Sequence, residues 1–400
     1  MSEVVLNDIC ELIVDCPHST AYDEGTGYPL VRTPNIGRGR LIYSGMHRVC
    51  EEVYNRRNAR AIPQTNDLIF AREATAGNVA LIQEGEKVCL GQRTVLIRPN
   101  ANLVNPAFLT YYLLAPEQQY KLLSTANGAT VAHVNMPTIR NLKLSLPDLP
   151  TQHRIATILS RYDSLIENYQ KQIKLLEEAA QRLYKEWFID LHFPGHENTN
   201  IIDGVPEGWE KKKALDFFEM SIGKTPPRAQ KQWFTDGNNG IPWVSISDMK
   251  DIMFVQDTSE GLTSEACEKY NVKIVPKGTI LLSFKLTVGR VSFAGTDVCT
   301  NEAIAHFQKE GDDWKAYTLL YLRNYNYDSL GNTSGISKAV NSTIIKNMPF
   351  VMPTTSILQE FSHKVLPLIK QTESLQSQLR LLTEARDRLL PKLMSGEIEI

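Results

Sequence analysis

The sequence predicts an α+β fold: two mixed, mostly β domains joined by two long antiparallel coiled-coil helices, with a pseudo-twofold internal repeat. Three observations predict it. Residues 151–190 carry one unbroken apolar stripe at helical spacing, residues 356–393 carry a second, and each stripe closes a globular segment built on the same plan. The expected boundaries are 1–150 for the first domain, 151–192 for the first long helix and 193–210 for a linker. The second domain then spans 211–355, and the second long helix with its tail spans 356–400.

In the first helix, Ile155, Ile158, Tyr162, Leu165, Tyr169, Ile173, Leu176, Ala180, Leu183 and Trp187 alternate gaps of three and four. One extra gap of four at Tyr169 interrupts the heptad and should unwind the supercoil locally. No Pro or Gly breaks the run, so the rod is roughly 60 Å long at 1.5 Å per residue, more than a small domain's core needs. It requires a partner helix. Leu358, Phe361, Val365, Leu368, Leu375, Leu379, Leu382 and Leu389 supply one, with Thr372 as a polar exception and Pro367 expected to kink the early turns.

Composition limits the function classes. The chain has 400 residues, 42% of them hydrophobic, and a net charge of −2, so a general electrostatic attraction to nucleic acid is excluded and any such contact must be local. No apolar run approaches eighteen residues and no signal peptide is apparent, which points to a soluble cytoplasmic protein with no membrane role. Cys10, Cys16, Cys50, Cys89, Cys267 and Cys299 show no CxxC pairing and are expected as reduced thiols. The sequons at Asn332 and Asn341 then carry no meaning.

Taken in order, the first domain reads as short strands in VVLNDIC, YPLVRTPNI, DLIFARE, NVALI and KVCLGQRTVLIRP. A helix follows at about Pro106–Ser124, and the strand LKLSLP leads into the first long helix. The linker FPGHENTNIIDGVPEGWE is rich in Gly, Pro and Asn. About 210 residues on, the plan returns: IPWVSISDM matches YPLVRTPNI, GTILLSFKLTVGRVSF matches NDLIFAREATAGNVAL, and DVCTNEAIAHF matches KVCLGQRTVLI. A helix at about Trp314–Leu322 and the segment VNSTIIKNMPFVMP complete the match.

The repeated framework differs at its polar positions. In the first domain, Arg32, Arg38, Arg40, Arg48, Arg56, Arg57 and Arg60 stand within one span without lysine, against only Glu51 and Glu52. Arginine's planar fork suits phosphate and the O6/N7 edge of guanine, whereas a solvated charged face explains such a cluster equally well by itself. Thr33 and Asn35 lie in the same span, and the repeat places Arg72, Asn78, Arg93 and His133 beside it. In the second domain, GKTPPRAQKQWF offers Lys224, Arg228, Gln230 and Lys231. Trp243, Ser245 and Ser247 stand where the first domain has Thr33 and its neighbours, and Lys285, Thr287 and Arg290 match the turn Glu73–Asn78.

Four motifs approach catalytic patterns and fall short. Asn105-Pro106-Ala107-Phe108 resembles the Asn-Pro-Pro-Tyr/Phe motif of adenine methyltransferases without its second Pro or a cofactor-binding glycine turn, so helix capping is the better account. Gly37-Arg38-Gly39 opens no helix and is a weak phosphate cradle. His192 and His196 lack a third metal ligand. Glu210, Lys211 and Lys212 lack the aspartate that cleavage would require.

Across essentially its whole length the chain resembles the specificity subunits of type I restriction-modification systems (the HsdS family). The resemblance rests on LYKEWFIDLHFPGHE, GVPEGWE, GKTPP with IPWVSISD, RDRLLPKLMSGEI and the duplicated order of domain and long helix. It implies a non-catalytic DNA-recognition subunit whose two target-recognition domains each read one half of a bipartite double-stranded DNA target, with the helix pair setting the spacer. It also implies two modification (methyltransferase) subunits and the restriction/translocase subunits as partners. No cofactor is then expected in this chain, since S-adenosylmethionine would bind the methyltransferase partners. Exposed helix faces around Glu177, Arg182, Lys185, Arg380 and Arg386 are the candidate docking contacts. Two other readings stay open: the recognition half of a related restriction system, and a coiled-coil adaptor that binds only proteins.

Overall fold

The computed structural model describes residues 2–124, 133–330 and 340–400, so the sequon at Asn332 lies outside the described residues. Two compact units emerge, one of Met1–Ile166 with Leu381–Ile400, the other of Glu167–Arg380. Each unit contains one repeat of the globular plan and a stretch of both long helices.

In the first unit, an antiparallel sheet orders the strands Cys10–Asp15, Thr94–Pro99, Leu68–Ala71 and Val79–Leu81. Successive side chains of a strand point to opposite faces, so Leu68 and Phe70 enter one core and Ile69 and Ala71 another. Burial on both faces explains the continuous apolar run LIFA. The first core lies under the helix Pro106–Leu114, and the second under a small sheet of His47–Val49, Tyr28–Val31 and Cys89–Leu90. The single helix expected at 106–124 is two. Ala115, which precedes Pro116, is held extended at φ −66°, ψ 145°, because the proline ring excludes the helical region for its predecessor.

The second unit repeats this design. Its main sheet orders Glu219–Ile222, Ile304–Gln308, Ile280–Ser283, Val291–Ala294 and Phe254–Val255, and its small sheet contains Ile241–Val244 paired in parallel with Cys299–Thr300. The same parallel pairing joins Tyr28–Val31 to Cys89–Leu90 in the first unit. Small contacts are repeated as well: the Cys89 thiol donates to the Pro29 carbonyl, and the Cys299 thiol to the Pro242 carbonyl. All six cysteines are unpaired.

The long helices are Leu149–Tyr184, continued by a π turn at Lys185–Ile189, and Thr355–Ser395. In the first unit Ile155 and Leu159, early in the first helix, share a core with Leu390 and Leu393, late in the second. In the second unit Tyr184, Trp187 and Phe188 pack with Phe361. Early turns meet late turns in both units, so the helices run antiparallel. The early part of the first stripe needs correction. Leu159, Asp163 and Ile166 face inward there, while Leu165 is 42% exposed, because an acidic residue occupies a seam position and disguises the true stripe. Pro367 does not end the second helix. It lies on an exposed face, where water can satisfy the carbonyl left without its N–H donor.

His306 is fully buried in its strand, between the Ser221 and Thr300 hydroxyls, each 2.8 Å from a ring nitrogen. Burial, aided by the Lys273 charge, lowers its pKa to about 4. Between that value and the ordinary 6.5 the unfolded chain binds a proton that the folded one refuses, so stability falls as pH drops through this window. The loss attributable to this ring is on the order of 3 kcal/mol. Urea titrations at pH 7 and pH 4.5 should show a larger difference for wild type than for His306→Gln; equal differences would refute it.

Candidate nucleic-acid interface

Three loops converge at the same edge of the sheets in each repeat. They are the turn after the YPLV or IPWV strand, the turn after the Cys-bearing strand, and the hairpin that follows LIFA or ILLS. The first loop is pinned identically, with the Asn35 side chain accepting the Arg32 N–H and Asp248 accepting the Ser245 N–H. The second is pinned by Gly91 N–H donating to the Val31 carbonyl, and Asn301 N–H to Val244. The third is tied to the first by Asn78, whose amide donates to the Ile36 carbonyl, and by Arg290, whose guanidinium donates to Ile246.

This shared scaffold carries different chemistry in the two units. In the first, the loops enclose a cleft of about 360 Å³ lined by Thr20, Arg32, Thr33, Arg57, Gln92 and Arg93, among others. Arg32 is half-buried and donates to the Gly45 carbonyl, while its Nε has no partner. Arg93 is exposed at φ +63° and pairs with Glu73. Behind that pair runs a charged chain. Arg72 donates to Asp15 at 2.8 Å and to His133 Nε2 at 2.8 Å; an arginine can only donate, so Nε2 accepts. The ring proton is therefore on Nδ1, 2.6 Å from Glu73.

In the second unit the position of Gln92 is taken by Glu302, which accepts a hydrogen bond from Thr225. Burial would raise its carboxyl pKa, but the Thr225 and backbone hydrogen bonds, with the Lys285 and Arg228 charges, hold it below the usual range. Arg228 stacks 4.6 Å from the Phe234 ring centre and 4.4 Å from that of Trp243, and it pairs with Glu260. Exposed Lys224 and Lys231 have ammonium groups with no partner among the described residues, and Lys285 lies over the Phe284 ring. Ser245, Ser247 and Asp248 are hydrogen-bonded to one another, and Thr287 is exposed at the hairpin.

Several candidates drawn from the sequence are buried or already hydrogen-bonded within the fold. Trp243 is 1% exposed and belongs to the core, because it stands on the inward face of its strand. Asn35 is 1% exposed, with both ends of its amide committed to backbone, and Thr33 is buried with its carbonyl taken by Thr75. Residues Glu51–Arg57 form a helix, and its inward face turns Arg57 and the capping Asn58 into the protein while Arg56 and Arg60 face out. Arg72 is also buried, in the chain just described. Arg38 is exposed but donates to the Leu114 carbonyl at a helix end, Arg40 is half-buried, and Gln230 accepts from Trp233 and Tyr270.

Among the docking candidates, Arg182 and Lys185 are exposed. Arg182 lines a groove of about 350 Å³ on the first long helix, with Leu175, Ala179 and Leu183, while Lys185 pairs with Asp190. Glu177 is instead half-buried against Arg323, Arg380 pairs with Asp257, and Arg386 is drawn into the helix seam by Asp163. The loops also present Gln92, Glu302, Ala74 and Leu286, which the sequence did not single out. The repeat alignment held the signal, since these positions vary inside an otherwise matched framework.

The catalytic near misses resolve simply. Asn105 caps its helix by accepting the Phe108 N–H at 2.9 Å, with Pro106 in the first turn. Glu210 and Lys212 pair with each other on an exposed strand. Among the described residues no cluster of three His, Cys, Asp or Glu could hold a metal, and no helix is long and apolar enough to cross a membrane.

Comparison with known proteins agrees with this architecture. The chain is 26% identical over 373 residues to the HindI specificity subunit of Haemophilus influenzae, covering 76% of this chain and 80% of that one. It is 27% identical over 411 residues to the MjaIX specificity subunit of Methanocaldococcus jannaschii, covering 99% and 93%. A crystal structure of a type I restriction-modification S subunit from M. genitalium shares the fold, with a TM-score of 0.62 at 14% identity, covering 98% of this chain and 95% of that one. The family profile described as the type I restriction modification DNA specificity domain matches residues 1–178 and again residues 206–383. Two copies of one recognition scaffold in a single polypeptide, matched over nearly its full length, place this chain in the type I restriction-modification DNA specificity family.

Proposed function

We propose that the three-loop rim of each repeat reads one half of a bipartite DNA target, and that the long helices set the unread spacer. The chain is a non-catalytic DNA-specificity subunit, and its partners are DNA and the other subunits of a restriction-modification complex. One observation carries the finer reading: the backbone pins of the three loops are the same in both units, whereas the side chains they present differ. A purely structural surface gives no reason to keep the scaffold and vary only its rim.

The proposed DNA contacts in the first domain are Arg32, Arg56, Arg60, Arg93 and Gln92, with Arg38, Arg40 and Asn78 at the margin. In the second domain they are Lys224, Lys231, Arg228, Ser247, Lys285 and Thr287. Lysine ammonium groups suit phosphates; removing one should reduce the salt slope of binding by about 1 without changing the sequence preferred. The groove beside Arg182 is the proposed seat of a methyltransferase subunit, two of which would flank the chain in the cytoplasm and carry S-adenosylmethionine. Restriction/translocase subunits would join that assembly.

The test is to co-express the chain with its neighbouring methyltransferase subunit and map methylated adenines in host DNA. Exchange of the first domain for that of a relative should change one half of the motif and preserve the gap and the other half. An unchanged motif after either exchange would reject the reading in favour of a protein-only adaptor.

A further inference from the structure

Leu286 stands at the tip of the second unit's hairpin. It is 81% exposed, more than any other large aliphatic side chain among the described residues, and its backbone is left-handed at φ +58°. That conformation is disfavoured for leucine, and here no burial offsets it. The turn is nevertheless firmly held. Ser283 Oγ donates to the Thr287 carbonyl at 2.6 Å and accepts the Arg290 N–H at 3.0 Å, while Gly289 N–H donates to the Ser283 carbonyl at 2.9 Å. Gly289 itself, at φ +93°, lies so close to the Tyr327 ring that a Cβ there would be 3.0 Å from it. A rigid turn thus holds a branched apolar side chain out in water, between Lys285 and Thr287.

The first unit has the same turn with a different tip. Gly77 N–H donates to the Ala71 carbonyl, Ala71 N–H donates to the Asn78 carbonyl, and Ala74 takes the position of Leu286 at φ +60°. The backbone device is common to both repeats, and the projecting apolar group belongs to one.

We propose that Leu286 is a specificity-determining residue of the second domain, packing in the DNA major groove against the 5-methyl group of a thymine in its half-site. This rests on the DNA-reading role proposed above. The thymine methyl is the apolar feature of the major-groove edge, and a flanking lysine supplies the phosphate contact that would seat the tip. Ala74 lacks the reach for the same contact.

The chain is assembled with its methyltransferase subunits on a duplex carrying the mapped motif, and binding is measured with each thymine of the second half-site replaced in turn by deoxyuridine. One replacement should weaken wild type by roughly fourfold to tenfold, the order expected for losing one buried methyl contact. It should leave Leu286→Ala and Leu286→Asn unaffected, because those variants have already lost the contact. Asparagine tolerates the left-handed backbone, so Leu286→Asn keeps the turn. If wild type binds the motif and is indifferent to every deoxyuridine, or if the variants match wild type, the proposal fails while DNA reading stands. Fluorescence of 2-aminopurine rising at a base step in wild type but not in Leu286→Ala would also overturn it, in favour of a wedge between bases. Loss of methyltransferase assembly in the variants would assign Leu286 to a protein contact and refute it equally. Failure of the wild-type complex to prefer the motif over random duplex would refute the underlying reading instead.

Discussion

Arg57→Ala is expected to destabilise the first unit by about 4 kcal/mol, while Arg56→Ala, one residue away, should fall within about 0.5 kcal/mol of wild type. The Arg57 side chain is buried, 4% exposed, and its guanidinium donates to three backbone carbonyls: Leu90 at 2.5 Å, Ser19 at 3.0 Å and Pro17 at 3.3 Å. Removing it leaves those carbonyls unsatisfied and takes away part of the wall of the arginine-lined cleft. Lysine cannot replace the fork, since a single ammonium on a flexible stem does not span three acceptors in that geometry. Arg56 is exposed and has no hydrogen-bond or ion-pair partner among the described residues, so its removal should be felt only in DNA affinity and in the salt slope. Urea unfolding of the two variants separates these roles, and an Arg57→Ala protein as stable as wild type would defeat this account. A combined Arg56, Arg57 and Arg60 variant would mix the unfolding caused by Arg57 with the loss of proposed contacts, and would not isolate reading.

The second large effect is at the helix seam. Asp163 in the first long helix is buried. Its Oδ1 pairs with Arg386 of the second helix at 2.9 Å, and its Oδ2 accepts the Tyr111 hydroxyl at 2.6 Å. Burial, and then the adjacent Asp163 charge, push the Tyr111 phenol well above its ordinary pKa, so it remains a donor at any physiological pH. Asp163→Ala should cost roughly 3–5 kcal/mol, because it leaves the Arg386 charge partly buried beside Tyr111 with half its partners gone. Arg386 also contacts Asp387, so Arg386→Ala should cost less than Asp163→Ala. A double-mutant cycle over the two should show coupling of at least 1 kcal/mol; additive losses would mean that the pair is incidental. Replacing both by well-packed apolar residues is expected to be neutral or stabilising, since a buried pair costs desolvation. What the ion pair then contributes is helix register, read in the doubly apolar variant as loss of one cooperative unfolding transition.

The architecture was largely legible because it is periodic and occurs twice. An apolar stripe sustained from Ile155 to Trp187 has no reading but a long helix, and the match of IPWVSISDM to YPLVRTPNI needs no coordinates. Where local chemistry is decisive the sequence also suffices: Asn105 before Pro106 reads as a cap and is one. The stripe failed where a polar side chain was buried. Asp163 looks like a solvent-facing residue until Arg386, distant in sequence, is brought to it. The candidate binding residues were the least legible. Seven arginines in one span look alike by composition, yet Arg57 clamps carbonyls from the inside, Arg38 ends a helix, Arg32 lines a cleft and Arg56 faces water.

The sequence by itself determined the two-domain, two-helix plan, the duplication, and membership of the type I specificity family, because periodicity and motif order are properties of the chain read along its length. Only the tertiary structure decided which polar groups are free to meet DNA. An arginine's role depends on whether acceptors within about 3 Å already hold its donors, and those acceptors, Leu90 for Arg57 or Asp15 for Arg72, come from parts of the chain that only folding brings together.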